Sequence, residues 1–250
     1  MEQPEYLREL TYEDFQRLAR KESLTANQKI GFPEEYRHGR AGQILNDIRG
    51  KLPALARTGS TILDIGCGCS DLPVTMAVEA ASMSQALTLV DSLEMLDQLP
   101  PLPPTVEKVV ARYPDCPDLL AKLEGKLDAI LVYSVIQYVF NSGNIFEFLD
   151  QSLKLLAPQG RMLIGDIPNL SMRKRFFASD NGVRYHQAFS QSSELPDVGF
   201  NKLELGKVDD AIVLALVSRA RAAGFHGYVM PQDDSLPMAN RREDVLIVRP

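Results

Sequence analysis

Apolar runs of strand length alternate with helical stretches over most of the chain, from residue 60 to residue 250. Such alternation is typical of βαβ units around a mostly parallel sheet. Helices are predicted at 72–81, at 145–156 and from 209 or 210 to 221, with a turn at 158–160. Seven strands are predicted near residues 61–65, 87–90, 106–111, 129–133, 162–165, 228–230 and 244–248. The pattern therefore predicts an α/β fold built on a seven-stranded, mostly parallel sheet.

Two segments lie outside this alternation. Residues 2–51 are polar, with Leu7, Leu10, Phe15 and Leu18 at helical spacing, which predicts an N-terminal helical extension. Residues 167–207 form a segment longer than ordinary loops, so we expect a lid or acceptor-binding insertion that is partly helical. We therefore divide the chain into a helical cap at 1–55 and a ligand-binding domain at 56–250.

Composition narrows the functional classes. Hydrophobic residues make up 45% of the 250 residues, enough for a sizeable core, and the net charge of −6 argues against a general nucleic-acid binder. The apolar run at 211–217 is too short to span a membrane, and the N-terminus lacks the features of a signal peptide. Three cysteines fit a reducing compartment better than a disulfide framework. We expect a cytoplasmic protein that is not integral to a membrane.

A glycine turn follows the first predicted strand. Gly66-Cys67-Gly68 leads into a helix, as in dinucleotide-binding loops, but Asp71 stands where the third glycine of such loops would fall. A carboxylate there would repel a pyrophosphate. The loop therefore favours a ligand without phosphates, such as the cationic nucleoside S-adenosylmethionine. A nicotinamide-dependent oxidoreductase stays open as an alternative, because it would share the first βαβ unit.

The segment Ile62-Leu63-Asp64-Ile65-Gly66-Cys67-Gly68-Cys69-Ser70 resembles the first motif of the class I S-adenosylmethionine-dependent methyltransferases, with serine in place of the third glycine. The resemblance implies a Rossmann-like sheet whose last strand is antiparallel, and S-adenosylmethionine as the cofactor of domain 56–250. It implies that Asp64 lies near the cofactor ammonium and that the backbone of Gly66, Cys67 and Gly68 approaches its methionine and ribose parts.

Further positions follow from the same resemblance. The family places an acid that accepts hydrogen bonds from both ribose hydroxyls where Asp91 stands, and Ser92 comes next to it. Ser134, after the fourth predicted strand, would face the cofactor and the acceptor. The alternatives are structural: Asp64 as a capping or ladder residue, Asp91 as a helix cap, and Ser92 as the start of a helix. Cys67 and Cys69 lack further ligands at metal-binding spacing, so no metal site is predicted.

Methyl transfer to a hydroxyl needs a base within hydrogen-bond reach. His186 in the insertion and Asp166 after the fifth strand are the candidates we prefer, with His38 as a third. His186 is alternatively an ordinary surface residue, and Asp166 the cap of a turn. Arg37, His38 and Arg40 belong to a stretch that sometimes reaches the methionine carboxylate in this family, although a solvated helix surface is the preferred interpretation. The insertion is also basic, through Arg173, Lys174, Arg175 and Arg184, which suits an anionic acceptor unless it is simply a solvated face.

The residues at the end of the fourth predicted strand bear on the chemical class of the methyl acceptor. It reads Tyr133-Ser134-Val135-Ile136 and lacks the Asn/Asp-Pro-Pro-aromatic motif of amino-group methylases of nucleic acids. We therefore expect O-methylation of a small, anionic or sugar-like metabolite and no nucleic-acid partner. A methyltransferase acting on protein or RNA, and a non-catalytic S-adenosylmethionine-binding module, stay open, as does the oligomeric state.

Overall fold

A computed structural model describes residues 10–202 and 204–250. Its seven strands form one sheet in the order β3-β2-β1-β4-β5-β7-β6. Strands β1 to β5 run parallel, and β7 lies antiparallel between β5 and β6. The predicted sheet with an antiparallel last strand is confirmed. The strands are β1 Thr61–Ile65, β2 Ala86–Asp91, β3 Val106–Val110, β4 Leu127–Tyr133, β5 Leu156–Pro168, β6 His226–Pro231 and β7 Arg242–Val248.

Helices cover both faces of the sheet. Alternate residues of β4 point to opposite faces, as strand geometry requires: Ile130 packs in one apolar cluster and Leu131 in another. The first cluster includes α7, α9 and α12, and the second includes α4, α5 and α6. The described helices are α1 Tyr12–Ala19, α2 Ala26–Lys29, α3 Glu34–Arg37, α4 Ala41–Lys51, α5 Asp71–Ser82, α6 Leu93–Leu96, α7 Pro117–Leu123, α8 Ile136–Ser142, α9 Ile145–Leu155, α10 Leu170–Phe177, α11 Asp180–Ser190 and α12 Asp210–Ala222.

The turn predicted at 158–160 is a bulge inside β5. Leu127 of β4 pairs with Leu156, and the next paired residue, Ala129, is opposite Arg161. The extra residues fit because Gln159 adopts a left-handed conformation with φ +63°. Gly160 is required there, since a Cβ would lie 2.5 Å from the Leu127 carbonyl oxygen. Strand β5 therefore extends well beyond the predicted residues 162–165.

The N-terminal segment packs against the sheet domain. Leu7 of the predicted helical pattern lies outside the described residues. Helix α4 buries Ile44, Leu45 and Ile48 in the same apolar cluster as α5 and the strands. The division of the chain at residue 55 stays a prediction. Within the described residues, no helix is both long and apolar enough to cross a membrane.

The insertion at 167–207 contains two helices. Asn169 caps α10, where its side chain accepts a hydrogen bond from the Met172 amide at 3.1 Å. Ser179 caps α11 by accepting from the Gly182 amide at 3.2 Å. Side-chain caps of this kind satisfy amides that have no partner within the helix. The first half of the insertion is therefore regular, and residues 191–202 contain no helix or strand.

Candidate active site

A cavity of about 380 Å³ opens where β1, β2 and β4 end. The turn after β1 and the residue after β4 form one side of it, as expected for ligand sites at the carboxyl ends of parallel strands. The N-terminal helices and the segments between them form the other side. Of the predicted cofactor residues, those that line the cavity are Asp64, Gly66, Cys67, Gly68, Asp91 and Ser134.

The glycine turn is closely packed on both sides. Gly66 and Gly68 have φ values of +72° and +65°, in the left-handed region that favours glycine. A Cβ on Gly66 would lie 2.7 Å from Val135 Cγ2, and one on Gly68 would lie 2.7 Å from Ile30 Cγ2. Both conformation and space therefore require glycine. The contact with Ile30 also shows that the N-terminal segment covers the turn.

Asp64 is a buried carboxylate with an unpartnered oxygen. The residue is 2% exposed, and its Oδ2 atom has no hydrogen-bond partner among the described residues. Burial, with a smaller contribution from the charge of Asp91, raises the pKa of Asp64 to about 8. Buried polar atoms in folded proteins are nearly always paired, so this oxygen marks a place where a ligand donor fits. A cationic donor suits it best, because it would also restore the ionised form.

Asp91 is the last residue of β2 and lies beside the same turn. Its Oδ2 accepts a hydrogen bond from the Gly68 amide at 2.8 Å, and its Oδ1 accepts from the Ser92 amide at 2.7 Å. Burial nevertheless raises the pKa of Asp91 to about 6. Each carboxylate oxygen has a second lone pair, so the group still has capacity for ligand hydroxyls. Asp91 thus fixes the turn and faces the cavity at once.

Cys67 and Ser92 lie next to these carboxylates in the sequence or the fold, but only Cys67 lines the cavity. Burial, followed by the charges of Asp91 and Asp64, raises the pKa of the Cys67 thiol well above its usual value, so this cavity-lining thiol stays protonated. Ser92 is buried and does not line the cavity. Its hydroxyl oxygen accepts from the Met95 amide at 3.3 Å and caps α6. The contacts of Ser92 therefore favour its structural role.

Apolar and aromatic side chains of the N-terminal helices cover the cavity. Tyr12, Phe15, Ile30 and Phe32 all line it. Helix α1 is attached to α6, because Gln16 Nε2 donates to Glu94 Oε2 at 3.0 Å and Arg20 Nη2 lies 2.5 Å from Glu94 Oε1. The N-terminal extension is therefore part of the site and separates the cavity from solvent on that side.

A second cluster lies at the ends of β4 and β5. Ser134 and Asp166 both adopt left-handed conformations, with φ of +62° and +58°. Non-glycine residues in this region are strained, and such strain concentrates at functional sites. The Ser134 hydroxyl donates to Asp166 Oδ2. Arg37 of α3 reaches the same pair, since its Nη2 donates to Ser134 Oγ at 2.7 Å and to Asp166 Oδ2.

Asp166 is buried among cationic donors. Arg242 Nη1 donates to Asp166 Oδ2 at 2.8 Å, and Gln232 Nε2 donates to its Oδ1 at 3.3 Å. Burial alone would raise the pKa of Asp166, but Arg242 and Arg37 hold it below its usual value. Asp166 lies behind Ser134 and is not itself a lining residue. These contacts favour holding Arg37 in place over accepting a proton.

The other predicted candidates lie elsewhere. His186 is on α11, partly exposed, with its ring 6.2 Å from that of Phe177, and it does not line the cavity. In the basic insertion, Lys174 Nζ pairs with Glu204 Oε1 at 2.9 Å and Arg175 Nη1 with Asp210 Oδ2 at 2.5 Å. Partners outside residues 167–187 therefore neutralise much of the predicted positive charge. Among the described residues, no group of three or more His, Cys, Asp or Glu is placed to hold a metal.

The sequence did not predict that the side chain of Arg37 is largely buried. Its side chain is 10% exposed and lines the cavity, whereas the preferred sequence interpretation was a solvated surface. That interpretation is right for His38, whose side chain is 84% exposed. Helix α3 is one turn long, so adjacent residues point into the cavity and into solvent. Its four residues are too few to show a hydrophobic period.

Solved methyltransferases match nearly the whole chain. The N-methyltransferase NodS of Bradyrhizobium japonicum, in complex with S-adenosylhomocysteine, is 12% identical with a TM-score of 0.55, over 96% of this chain and 98% of NodS. The plantazolicin methyltransferase BpumL, also with that ligand, is 14% identical with a TM-score of 0.56, over 94% and 95% of the two chains. This chain has the class I methyltransferase fold. The predicted fold is thus confirmed.

A further solved methyltransferase matches the fold at a similarly low sequence identity. An S-adenosylmethionine-dependent methyltransferase from Aquifex aeolicus is 13% identical with a TM-score of 0.54, over 96% of this chain and 98% of that chain. No protein-family model matches the sequence. Among curated proteins, chondramide synthase cmdD of Chondromyces crocatus is 25% identical over 125 residues, which is 50% of this chain and 3% of the synthase. The match therefore spans a small segment of a far longer protein.

Proposed function

We propose that this chain is an S-adenosylmethionine-dependent methyltransferase that methylates a small molecule in the cytoplasm. The observation that carries the proposal is the unpartnered Oδ2 of Asp64 beside the glycine turn. An oxygen in that setting favours a cationic ligand and disfavours a phosphate-bearing one. The methyltransferases that share this fold, two of them solved with S-adenosylhomocysteine, support the proposal. The free thiols of Cys67, Cys69 and Cys116 are consistent with a reducing compartment.

The residues present fit the cofactor. Asp64 would hold the ammonium through its free oxygen, and the backbone of Gly66 and Gly68, which lines the cavity, would lie against the amino-acid and ribose parts. Asp91 retains lone pairs for the ribose hydroxyls after serving the amides of Gly68 and Ser92. Each role uses a group whose free capacity is visible in the structure.

The bound cofactor supplies an electrophilic methyl group on a sulfonium. The protein's task is then to align the acceptor and to exclude water, since the charge disperses during an in-line displacement. Phe15, Phe32 and Tyr138 give the β4 side of the cavity aromatic walls. The T-shaped contact of Phe15 with Tyr138, at 4.7 Å between centroids, joins the N-terminal cover to α8. We propose that this contact closes the reaction site to solvent.

We propose oxygen as the acceptor atom, so a base must take the hydroxyl proton. Asp166 is a weak candidate because its lowered pKa reduces its basicity. His186 is the alternative that we keep as a proposal, although it does not line the cavity. His186→Ala tests it: if His186 is the base, turnover falls while affinity for S-adenosylhomocysteine stays within twofold of wild type. Full activity of this variant would remove His186 from the reaction.

Transfer of label from methyl-tritiated S-adenosylmethionine tests the proposed function. The purified chain is incubated with a small-molecule extract, and the low-molecular-weight products are separated and counted. Methylated products that depend on the protein support the proposal. Binding of the cofactor without any product, even with protein and RNA fractions, would indicate a non-catalytic module. Failure to bind S-adenosylmethionine at all would contradict the proposal.

A further inference from the structure

Arg37 has hydrogen-bonding capacity that the protein does not use. A guanidinium carries five N–H donors, and the two contacts of Arg37 to Ser134 and Asp166 both involve Nη2. Its Nη1 and Nε atoms make no hydrogen bond to the described residues. The side chain is nevertheless only 10% exposed and lines the cavity. Donors that lie at a cavity and have no protein acceptor are free to bind a ligand that supplies acceptor oxygens.

The guanidinium is held in a fixed plane. Its central carbon lies 4.0 Å from the centroid of the Phe32 ring, and Phe32 is itself 5% exposed. Asp166 fixes the Nη2 end, and the left-handed backbone of Asp166 holds that carboxylate in place. An arginine fork that is preorganised in this way matches the two oxygens of a carboxylate or phosphate group.

The local charge favours an anion. Asp166 is shared between Arg37 and Arg242, which leaves two cations against one anion. Two further acids, Asp47 and Asp244, both pair with Lys51, whose Nζ lies 2.6 Å and 2.7 Å from their Oδ2 atoms. The two arginines that share Asp166 therefore form a group with one excess positive charge, and the further acids lie around Lys51 instead of around Arg37.

Arg37 lies on the β4–β5 side of the cavity, where Ser134 is the one residue of the predicted cofactor set. Its partner Ser134 follows β4 and its partner Asp166 lies near the end of β5, whereas Asp64 and Asp91 lie at the ends of β1 and β2. The sheet order reverses between β1 and β4, and ligands of doubly wound sheets lie across that point. The β1–β2 side offers free carboxylate oxygens to the cationic and hydroxyl groups of the cofactor, whereas the β4–β5 side offers the free donors of Arg37 to an anion.

We infer that Arg37 binds an oxyanion of the methyl acceptor, a carboxylate or a phosphate, with Asp166 as the residue that positions it. The inference rests on the proposed function and narrows its substrate class from small molecules to acidic ones. The anion site is then at Arg37 inside the cavity, and the basic insertion is not needed for it.

The test compares three variants with wild type. Arg37→Met removes the fork, Arg37→Lys keeps the charge, and Arg40→Met is the control, because Arg40 bonds Gln43 at 3.1 Å outside the cavity lining. The methylated product from the extract should be retained on an anion-exchange column. Its acceptor should show a KM raised roughly 10- to 100-fold in Arg37→Met, with partial recovery in Arg37→Lys, and wild-type values in Arg40→Met.

Affinity for S-adenosylhomocysteine should stay within twofold of wild type in all three variants. A large loss of that affinity in Arg37→Met, with an unchanged acceptor KM, would overturn the inference and assign Arg37 to the cofactor carboxylate. A neutral product would also overturn it. Either result leaves the proposed function standing, because that function fails only if no methyl transfer is found.

A measurement independent of activity uses inorganic phosphate as the probe. In protein saturated with S-adenosylhomocysteine and labelled on arginine nitrogen, the Nε–H signal of Arg37 should shift on titration with phosphate. Sodium chloride at equal ionic strength should leave it unmoved. Absence of a phosphate-specific shift would overturn the inference, including in the case where Arg37→Met fails to fold.

Discussion

Each half of the cavity contains an aspartate at or near the end of a buried strand, and the surroundings shift the pKa values of the two aspartates in opposite directions. On the β1–β2 side, Asp64 has a free oxygen and a pKa raised to about 8, chiefly by burial. On the β4–β5 side, Asp166 is as deeply buried, yet Arg242 and Arg37 hold its pKa below the usual value. The residue type and its degree of burial are the same in both halves. The pKa shifts differ because the protein supplies cations beside Asp166, whereas a cation beside Asp64 would have to come from a ligand.

This contrast separates a binding role from a structural one. A buried carboxylate without a cation destabilises the fold and is retained where a ligand pairs with it. A buried carboxylate between two arginines is already satisfied, and its removal leaves uncompensated charge. Asp64 therefore reports on ligand binding and Asp166 on the integrity of the site. Matched substitutions in the two halves should show opposite consequences.

The largest effect is expected from Asp166→Asn. The substitution leaves Arg37 and Arg242 buried without an anion, which should cost about 3–5 kcal/mol of unfolding free energy. Thermal unfolding should show a Tm roughly 10 °C lower than wild type. The matched variant Asp64→Asn should keep its Tm at pH 7, because it removes a carboxylate that is largely protonated there. Equal losses in both variants would break the distinction between the halves.

Removal of Asp91, the proposed ribose ligand, should act chiefly on binding, with any structural change confined to the glycine turn that it holds. Asp91→Ala is expected to weaken S-adenosylmethionine binding more than tenfold, since charged hydrogen bonds contribute about 1.5–3 kcal/mol. Isothermal titration calorimetry measures the affinity, and circular dichroism checks the fold. An unchanged affinity would discredit the cofactor site assigned to the β1–β2 side.

Cofactor affinity should rise with pH through the titration of Asp64. Binding of an ammonium requires the ionised carboxylate, and burial raises the pKa of this acid to about 8 in the free protein. Between pH 6 and pH 8 the affinity for S-adenosylhomocysteine should rise about 50-fold, with proton release seen as a dependence of the binding heat on the buffer. Asp64→Asn should bind weakly and without this pH dependence. A pH-independent wild type would contradict the assignment of the ammonium to Asp64.

The raised pKa of Asp64 also determines how this residue makes the stability of the free protein depend on pH. A carboxyl whose folded pKa lies above its model value of 3.8 binds more protons in the native state. The contribution of Asp64 to the free energy of unfolding therefore declines as pH rises from about 4 to about 8, and this component should be absent in Asp64→Asn. Asp166 contributes in the opposite sense, since its lowered pKa gives stability that is lost only as pH falls below the usual range.

The smallest effect concerns the glycine turn. Gly68→Ala places a Cβ 2.7 Å from Ile30 Cγ2 at φ +65°, whereas Gly59→Ala has a similar φ of +75° with nothing within 4 Å. Both changes should cost about 1 kcal/mol in backbone strain. Only Gly68→Ala should also weaken S-adenosylhomocysteine binding severalfold, because it displaces the N-terminal cover. Similar binding by both variants would show that the cover at Ile30 does not shape the cofactor side.

The β1–β2 half was accessible to sequence reasoning because its parts are local. The run from Asp64 through Gly68 is contiguous, and Asp91 ends the next strand. Each acid lies at the end of a short apolar strand, so strand pairing places them together. The free oxygen of Asp64 and the direction of its pKa shift required coordinates, since they depend on everything that surrounds the group.

The β4–β5 half was only partly accessible. Asp166 was correctly located at the end of a strand, but its partners come from 32, 129 and 76 positions away, at Ser134, Arg37 and Arg242. No local spacing predicts such a cluster. The helices of the insertion did carry local signals, in the caps Asn169 and Ser179, that a closer reading of capping residues would have used.

The central claim is that the β1–β2 side of the cavity selects a cationic nucleoside. Its most direct test is calorimetric titration of the purified chain with three ligands. S-adenosylmethionine, uncharged methylthioadenosine and NAD differ in charge and share an adenosine. The account predicts tight binding of the first, much weaker binding of the second and no heat with the third. Tight binding of NAD with no response to S-adenosylmethionine would contradict it.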